Sequence, residues 1–229
     1  MIRASLSGDI ISSTSLNNQG RDLLEKSLQD LIKKLNDKFD IYGRVIKGDY
    51  VECVVPQPKN ALRVALIIKS YVKAIDIKES IHYEKNKRIK SFKTHGIRIA
   101  IGYGDLSRYD PEHGIIDGEA IYLSGRKISE LSSYNKQRIV IKNTLFFESK
   151  NETLNCTFEP LFNLIDVLLS KATARQCEVL SLKLFGDNED TIAKKLNIKQ
   201  SVVNTHSTGV GWNAIEKSIE YFENIINPI

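Results

Sequence analysis

The stretch IYGRVIKGDYVECVV, residues 41–55, predicts a β-hairpin. Two runs rich in β-branched and aromatic residues, 42–46 and 50–55, flank a short turn with the sequence Lys47-Gly48-Asp49. Such runs on either side of a glycine-containing turn are typical of two antiparallel strands. The hairpin therefore places the carboxylate of Asp49 at the end of a sheet.

Helical and extended patterns alternate on both sides of this hairpin. The elements expected from hydrophobic periodicity are a strand at 1–6, helices at 21–35 and 61–75, a strand at 95–103, a loop at 105–117, a helix at 118–134, a strand at 138–141, a short helix with an irregular passage at 143–158, and an apolar helix at 160–169. This order predicts an α+β fold with a ferredoxin-like sheet, one added strand and helices packed against it.

The segment 76–93 differs from its neighbours, because charges recur at every second or third position with an excess of basic residues. Two interpretations are open. The segment is either a solvated, mobile loop or hairpin, or an arm that binds phosphate groups.

Composition is that of an ordinary soluble globular protein. At 229 residues the chain is long enough for a main domain, expected at 1–158, and a smaller second domain, expected at 159–229. No apolar run reaches the roughly 20 residues needed to span a bilayer, and the N-terminal stretch lacks the apolar core of a signal peptide. A cytoplasmic location is therefore expected.

The three cysteines, which form no CxxC pair, are expected to be buried reduced thiols.

The C-terminal part predicts a small all-α helix-turn-helix domain. Thr173 is suited to cap a helix that ends near Phe185, a second helix begins at Asp190 or Thr191, and Asn197 to Lys199 form a turn before a third, polar helix. In such a unit the helix after the turn enters the DNA major groove. The residues expected to contact double-stranded DNA are Lys195, Lys199, Gln200, Ser201, Asn204, Thr205 and Thr208.

Charge leaves an alternative open for this domain. The chain has a formal net charge of +5, yet residues 171–229 contain seven basic and seven acidic residues. Because DNA-binding surfaces are ordinarily basic, a helical module that binds another protein is the alternative.

A last helix follows the polar one. It carries a narrow apolar seam, formed by Trp212, Ile215, Ile219, Phe222 and Ile226. The seam either closes the core of the small domain or pairs with a second copy, so a homodimer is a possible partner state.

Two carboxylates complete the candidate sites. Asp9 follows the first strand and Asp49 lies at the hairpin tip, so the two meet at one sheet edge if their strands are neighbours. Paired carboxylates suit Mg²⁺ or Mn²⁺ and the phosphates of a nucleotide. The plainer alternative is that Asp9 caps the next segment and Asp49 serves only the turn.

These residues resemble the motifs of the class III nucleotidyl cyclases over roughly residues 1–141. Asp9, Ile10 and Thr14 match the family's first-strand motif, Gly48 and Asp49 match its hairpin, and Gly118 and Arg126 match its later helix. The resemblance implies metal binding by Asp9 and Asp49, nucleotide binding by Ile10, Thr14 and Arg126, and sites shared between the two copies of a dimer. Two family positions differ, because Val45 replaces a lysine and Tyr122 replaces an asparagine.

The whole chain is similar to the SatD-type bacterial family, which joins a cyclase-like plan to a helix-turn-helix. This resemblance implies a DNA-binding transcriptional regulator whose cyclase-like domain senses a nucleotide or a divalent metal. The alternative is an active nucleotidyl cyclase, or a related phosphoryl-transfer enzyme, in which Asp9, Asp49 and Arg126 are catalytic. A third possibility is an adaptor that binds neither nucleotide nor DNA.

Overall fold

The computed structural model describes residues 2–77, 87–135, 141 and 143–226. The strands are β1 (Ile2–Ile10), β2 (Tyr42–Ile46), β3 (Tyr50–Val55), β4 (Ile97–Asp110), β5 (Ile115–Gly118) and β6 (Leu145–Ser149). The helices are α1 (Asn18–Phe39), α2 (Ala61–Ala74), α3 (Lys87–His95), α4 (Glu119–Asn135), α5 (Glu152–Lys171), α6 (Ala174–Leu184), α7 (Glu189–Leu196), α8 (Gln200–Gly209) and α9 (Trp212–Ile226).

The strands form one six-stranded sheet in the order β2-β3-β1-β4-β5, and β6 pairs with β4. The central strand β1 is antiparallel to both neighbours, β3 and β4, whereas β6 is parallel to β4. The first four strands, in the order β4-β1-β3-β2 with helices after β1 and β3, follow the ferredoxin-like plan. The predicted α+β fold, a sheet with packed helices, is therefore confirmed.

One face of the sheet is covered by α1 and α2. The stripe of leucines on α1 is buried, at Leu24, Leu28, Leu31 and Leu35, and it packs with Ala4, Leu6 and Ile10 of β1 in a single apolar core. Helix α2 is buried almost all round, because α6 and α9 pack on its outer side. A helix that is apolar on every side is expected at such a central position.

The seam of α9 joins this same core. Phe222 lies among Phe147, Phe158 and Phe162, with ring centroids 4.8 Å apart for Phe158 and 6.0 Å for the other two. The seam therefore closes the main core, instead of a separate small core or a contact with a second copy. The proposed division at residues 158 and 159 falls inside α5 and stays a prediction.

Two predicted elements are corrected near β4. The segment 105–117, expected as a loop, continues β4 to Asp110 and returns as β5, with a register shift between Leu106 and Arg108. That irregular pairing breaks the simple alternation on which strand prediction depends. Residues 87–93, expected as a loop or arm, lie in α3, and residues 78–86 of the same segment lie outside the described part.

Two more corrections concern β6, the strand parallel to β4, and the first strand, β1. The predicted strand at 138–141 lies outside the described residues except for Ile141, which is not in a strand. Residues 145–149, expected as part of a helix or irregular passage, form β6, because a short apolar run does not distinguish the two by periodicity. Strand β1 extends to Ile10, so Asp9 lies within the strand.

The cysteines differ in exposure. Cys53 and Cys177 are buried, and burial raises the pKa of the first to about 12 and of the second to about 11, so both thiols stay neutral. Cys156 is exposed, contrary to the expectation of three buried thiols. In the described part of the chain, no helix combines the length and the hydropathy needed to cross a lipid bilayer.

Candidate functional site

The structure places Asp9 on β1 and Asp49 in the turn directly before the neighbouring strand β3. Strand pairing places Asp9 of β1 opposite Tyr50 of β3, directly beside Asp49. The amide of Ile10 donates a hydrogen bond of 2.9 Å to the carbonyl oxygen of Asp49. The two carboxylates therefore interact electrostatically, and the negative charge of Asp49 contributes to a raised pKa at Asp9.

Asp49 is held by the turn and by the loop after β1. Lys47 and Gly48 have φ angles of 54° and 79°, a region that glycine enters without strain and that turns the chain sharply. The hydroxyl of Ser13, in the short turn before α1, donates a hydrogen bond of 2.8 Å to Asp49 Oδ2. This contact fixes the loop and the hairpin tip relative to each other.

Arg98 is a third charged group at this site, and the sequence interpretation missed it. It lies on β4 directly opposite Asp9, and its Nη1 is 3.6 Å from Asp9 Oδ2. Its side chain is only 5% exposed, and its Nε has no hydrogen-bond partner. The position of Arg98 could have been noticed as a charge inside an otherwise apolar strand, but its pairing with Asp9 depends on the strand register.

Three effects act on the ionisation of Asp9. Burial is the largest and raises the pKa, the guanidinium of Arg98 lowers it, and the charge of Asp49 raises it again, with a net upward shift. A divalent cation between the two carboxylates would remove their mutual repulsion. The pair is thus arranged to gain from a bound cation.

A cavity of about 250 Å³ opens beside Asp49. Its walls include the exposed Thr14, the cationic Arg21 and Lys47, and the carboxylates of Asp22, Glu25 and Asp49, whereas Asp9 does not line it. Arg21 donates hydrogen bonds of 3.1 Å to the carbonyl oxygens of Leu16 and Thr14, so it braces the loop. The cavity therefore combines carboxylate and cationic groups, which is the chemistry that a phosphate with its metal ion requires.

The side chains near Asp9 and Asp49 offer few ligands to a metal ion. Among the described residues, no group of three or more His, Cys, Asp or Glu side chains is placed to hold an ion. Mg²⁺ is commonly held by one or two carboxylates, with water and substrate phosphates as the remaining ligands. Asp9 and Asp49 fit that pattern, and they are the residues that would hold Mg²⁺ or Mn²⁺ with a nucleotide.

The other predicted nucleotide-binding residues are placed differently. The side chain of Ile10 is buried in the core, so only its backbone could face a ligand. Arg126 lies on α4 with its side chain 66% exposed, and its Nε is 2.8 Å from Glu130 Oε1 of the same helix. No contact joins Arg126 to Asp9 or Asp49.

Helix α4 is pressed against the sheet face that carries Asp9. The hydroxyls of Ser5 and Ser7 on β1 lie 2.6 and 2.9 Å from the hydroxyl of Ser124. A Cβ atom on Gly102 of β4 would lie 2.1 Å from the carbonyl oxygen of Ala120, so glycine is required for this approach. The position of α4 is consequently fixed by the sheet.

A buried polar network lies next to Arg98. Lys69 of α2 is 3.2 Å from Asp166 Oδ1 of α5, and it donates a hydrogen bond of 3.0 Å to the carbonyl oxygen of Ile97. Thr144 donates to both oxygens of Asp166, from its amide at 2.5 Å and its hydroxyl at 2.7 Å. Burial acts to raise the pKa of Asp166, but the charge of Lys69 and the Thr144 hydrogen bonds outweigh it, so this pKa is lowered.

The unit α7–turn–α8 forms the second candidate site. Helix α7 ends at Asn197, whose φ of 51° reverses the chain, and α8 starts after Ile198 and Lys199. A small apolar cluster of Val179, Ile192 and Val203 joins α6, α7 and α8. Three buried side chains thus connect the three helices.

The outer face of α8 is polar and accessible. The predicted contact residues on it, Gln200, Ser201, Asn204, Thr205 and Thr208, are all exposed. Val202, predicted to anchor the helix together with Val203, is 38% exposed instead. Val203 and Ser207 are the buried residues of α8, and most of its surface faces solvent.

Acidic residues of α7 and the preceding turn neutralise part of the positive charge at this site. Lys195 Nζ is 2.7 Å from Asp187 Oδ2, and the amide of Gln200 donates to Glu189. Lys199, which precedes α8, is exposed. Lys199 is therefore the predicted basic residue best placed to meet a phosphate.

The matches between this chain and known proteins are to solved structures. Neither a protein-family model nor a curated protein sequence matches the chain. Among solved structures, a bacterial light-regulated adenylyl cyclase superposes with a TM-score of 0.42 at 14% identity, over 64% of this chain and 43% of the cyclase chain. The guanylyl cyclase Cya2 gives a TM-score of 0.36 at 14% identity, over 57% of this chain and 70% of Cya2. This chain thus spans less than half the length of the adenylyl cyclase. The ferredoxin-like assignment made above rests on the order of the strands and not on these superpositions.

Proposed function

We propose that the protein is a cytoplasmic DNA-binding regulator, in which α7 and α8 form a helix-turn-helix and the sheet binds a nucleotide with Mg²⁺ or Mn²⁺. The observation that carries this proposal is the accessible polar face of α8, supported from below by Val203. This function agrees with the resemblance to the SatD-type family, in which a cyclase-like plan precedes a helix-turn-helix.

The face of α8 has suitable chemistry for the major groove. The amides of Asn and Gln can form two hydrogen bonds with adenine, and the hydroxyls of Ser and Thr can reach either bases or phosphates. Lys199 stands at the N-terminus of α8, where the partial positive charge of the helix also favours a phosphate. Asn204 lies one turn into α8 and is the residue placed to read a base.

Replacing Asn204 with alanine should weaken binding to the preferred DNA sequence by about 1–3 kcal/mol, because a bidentate contact with a base is lost. Binding to unrelated DNA should change little. The preferred sequence would come from selection on mixed genomic fragments, and affinities would be measured by fluorescence anisotropy at one fixed salt concentration.

A matched control is Asn213→Ala, which removes the same exposed amide from α9. It should leave both affinities as in the wild type. If selection enriches no sequence, or if the two alanine variants behave alike, α8 is not a recognition helix.

A second candidate function is a nucleotidyl cyclase or related phosphoryl-transfer enzyme. The observation in its favour is the proximity of Asp9 to Asp49, since Asp49 also lines a cavity together with Arg21 and Lys47. In such an enzyme two metal ions would stabilise the charge that develops on the phosphate oxygens. Val45 and Tyr122 replace residues that the resemblance expects, and Arg126 is exposed and paired with Glu130, so binding without turnover is the favoured role.

Replacing Asp49 with alanine should abolish Mn²⁺-dependent nucleotide binding, with at least a tenfold loss of affinity measured by calorimetry against each nucleoside triphosphate. One carboxylate alone leaves the ion a single protein ligand, and the hydrogen bond from Ser13 is also lost. The control Asp37→Ala, on the exposed side of α1, should bind as the wild type does.

The same samples distinguish sensing from catalysis. Wild-type protein incubated with Mn²⁺ and a triphosphate should return the triphosphate unchanged when it is analysed by chromatography. A cyclic or oligomeric product that disappears in Asp49→Ala would instead establish the enzyme. Equal binding by Asp49→Ala and Asp37→Ala would remove the sheet site from both candidate functions.

A further inference from the structure

A second cavity, of about 470 Å³, opens between α2, α3 and the end of α5. Three lysines line it, namely Lys73 of α2 and both Lys90 and Lys93 of α3. Among the described residues, no aspartate or glutamate lines this cavity, and it shares no residue with the cavity at the hairpin tip. We call it the α3 cavity. It gathers positive charge at a place that the site described above does not use.

Lys73 is the buried lysine of the α3 cavity, with only 8% of the residue exposed. Its Nζ donates hydrogen bonds to the carbonyl oxygens of Leu169 and Ser170, the second at 3.0 Å. Both carbonyls belong to the last turn of α5, where the partial negative charge of a helix is concentrated. The ammonium group therefore offsets a charge that would otherwise repel an anion from the cavity.

The surroundings of Lys73 also favour an anion beside it. Burial is the main cause of a lowered pKa at Lys73, and the positive charge of Lys69 lowers this pKa further. Asp166, the carboxylate nearby, forms its ion pair with Lys69. In the described chain, Lys73 has hydrogen bonds to neutral carbonyl groups but no ion pair with a carboxylate of its own. A negative charge in the cavity would supply that missing compensation.

Lys90 and Lys93 bring positive charge from another wall of the cavity. They are three residues apart on α3, so their side chains lie on the same face of the helix. Both are exposed, and neither ammonium group has an ion-pair partner in the part of the chain that the structure describes. The sequence of α3, KRIKSFKTH, contains no acidic residue that could neutralise them. Their charge is thus available to a ligand.

We propose that the α3 cavity binds a diphosphate group, either free or as part of a nucleotide. A phosphate monoester carries about 1.5–2 negative charges at neutral pH, so a single phosphate leaves part of the charge of three lysines unbalanced. A second phosphate supplies the rest. The recessed position of Lys73 favours a small ligand that enters the cavity, because the phosphates of a nucleic acid duplex would reach only the exposed Lys90 and Lys93.

The test is calorimetry of the full chain with pyrophosphate, in buffer freed of metal ions by a chelating resin and at one fixed salt concentration. The wild type should bind pyrophosphate roughly tenfold or more tightly than inorganic phosphate or sulfate, because only pyrophosphate balances all three lysines. The double variant Lys90→Gln with Lys93→Gln should lose roughly tenfold or more in affinity, since two charge-assisted contacts are removed. Its unfolding midpoint should not change, because both side chains are exposed.

The matched control is Lys33→Gln with Lys34→Gln, which removes two exposed lysines from α1 and the same net charge. It should bind pyrophosphate as the wild type does. Ser170→Glu tests the wall that α5 provides, because it adds a carboxylate to the cavity and removes no lysine. It should weaken pyrophosphate binding to a similar extent as the double variant of α3.

A nucleoside diphosphate, titrated under the same metal-free conditions, identifies the source of the ligand. Tighter binding than that of pyrophosphate would indicate a nucleotide, and equal affinity would indicate that the diphosphate group is sufficient. Asp49→Ala should bind pyrophosphate as the wild type does, so failure of the metal site at the hairpin tip and failure of the α3 cavity give different results.

Equal affinities for pyrophosphate, phosphate and sulfate would overturn the proposal, because they would indicate only general attraction of anions to a basic surface. Unchanged pyrophosphate binding in the double variant of Lys90 and Lys93 would overturn it as well. If that variant instead lost affinity for unrelated duplex DNA, α3 would be a surface that contacts nucleic acid and not a diphosphate site.

Discussion

Alanine in place of Asp166 is expected to lower the free energy of unfolding by about 3–5 kcal/mol, since removal of one member of a buried ion pair leaves the other charge without compensation. Lys69 would stay buried opposite an apolar methyl group, and Thr144 would lose the acceptor for its amide and its hydroxyl. The measurement is urea unfolding at neutral pH, followed by circular dichroism.

Two further variants test whether the loss of stability in Asp166→Ala comes from the unpaired charge of Lys69 or from substitution in general. Asp37→Ala, at an exposed position of α1, should change the free energy of unfolding by less than about 0.5 kcal/mol. The double variant Lys69→Met with Asp166→Leu should be more stable than Asp166→Ala, because no unpaired charge is left in the interior. If Asp166→Ala costs no more than Asp37→Ala, the ion pair does not exist in solution.

Phe222→Ala is the second change with a large expected effect, about 3–5 kcal/mol, as is usual when a buried aromatic side chain leaves a cavity. Phe222 packs on Phe158 and Phe147, so the loss should be felt by the sheet as well as by the C-terminal helices. Thermal unfolding should therefore remain a single transition, moved to lower temperature.

The neighbouring residue supplies the control. Tyr221 is 46% exposed, and Tyr221→Ala should lower the midpoint much less than Phe222→Ala does. Two separate transitions in the wild type, with only one of them moved by Phe222→Ala, would instead support the predicted domains 1–158 and 159–229 as independent units.

Local patterns in the sequence were sufficient for much of the fold. The leucine stripe of α1, the turn at Lys47 to Asp49, and the cap at Thr173 depend on residues close together in the chain, and all three occur in the structure. The proximity of Asp9 and Asp49 was predicted only on the condition that β1 and β3 are neighbours, and the structure meets that condition.

The missed features depend on contacts between distant parts of the chain. Arg98 meets Asp9 only through the register of β1 and β4, and Lys69 meets Asp166 across nearly one hundred residues. Strand β6 has too few residues to show a period of its own, and its partner β4 lies on the other side of α4 in the sequence. The sequence likewise could not show which core the apolar seam of α9 joins, because that depends on the contacts of Phe222 with Phe147, Phe158 and Phe162.

The close approach at Gly102 also restricts how this chain can vary. A single added methyl group would overlap a main-chain oxygen, and no choice of side-chain rotamer relieves an overlap with the backbone. Natural variants that keep α4 seated on the sheet should therefore retain the smallest amino acid at position 102, even where the outward-facing residues of that helix have diverged completely.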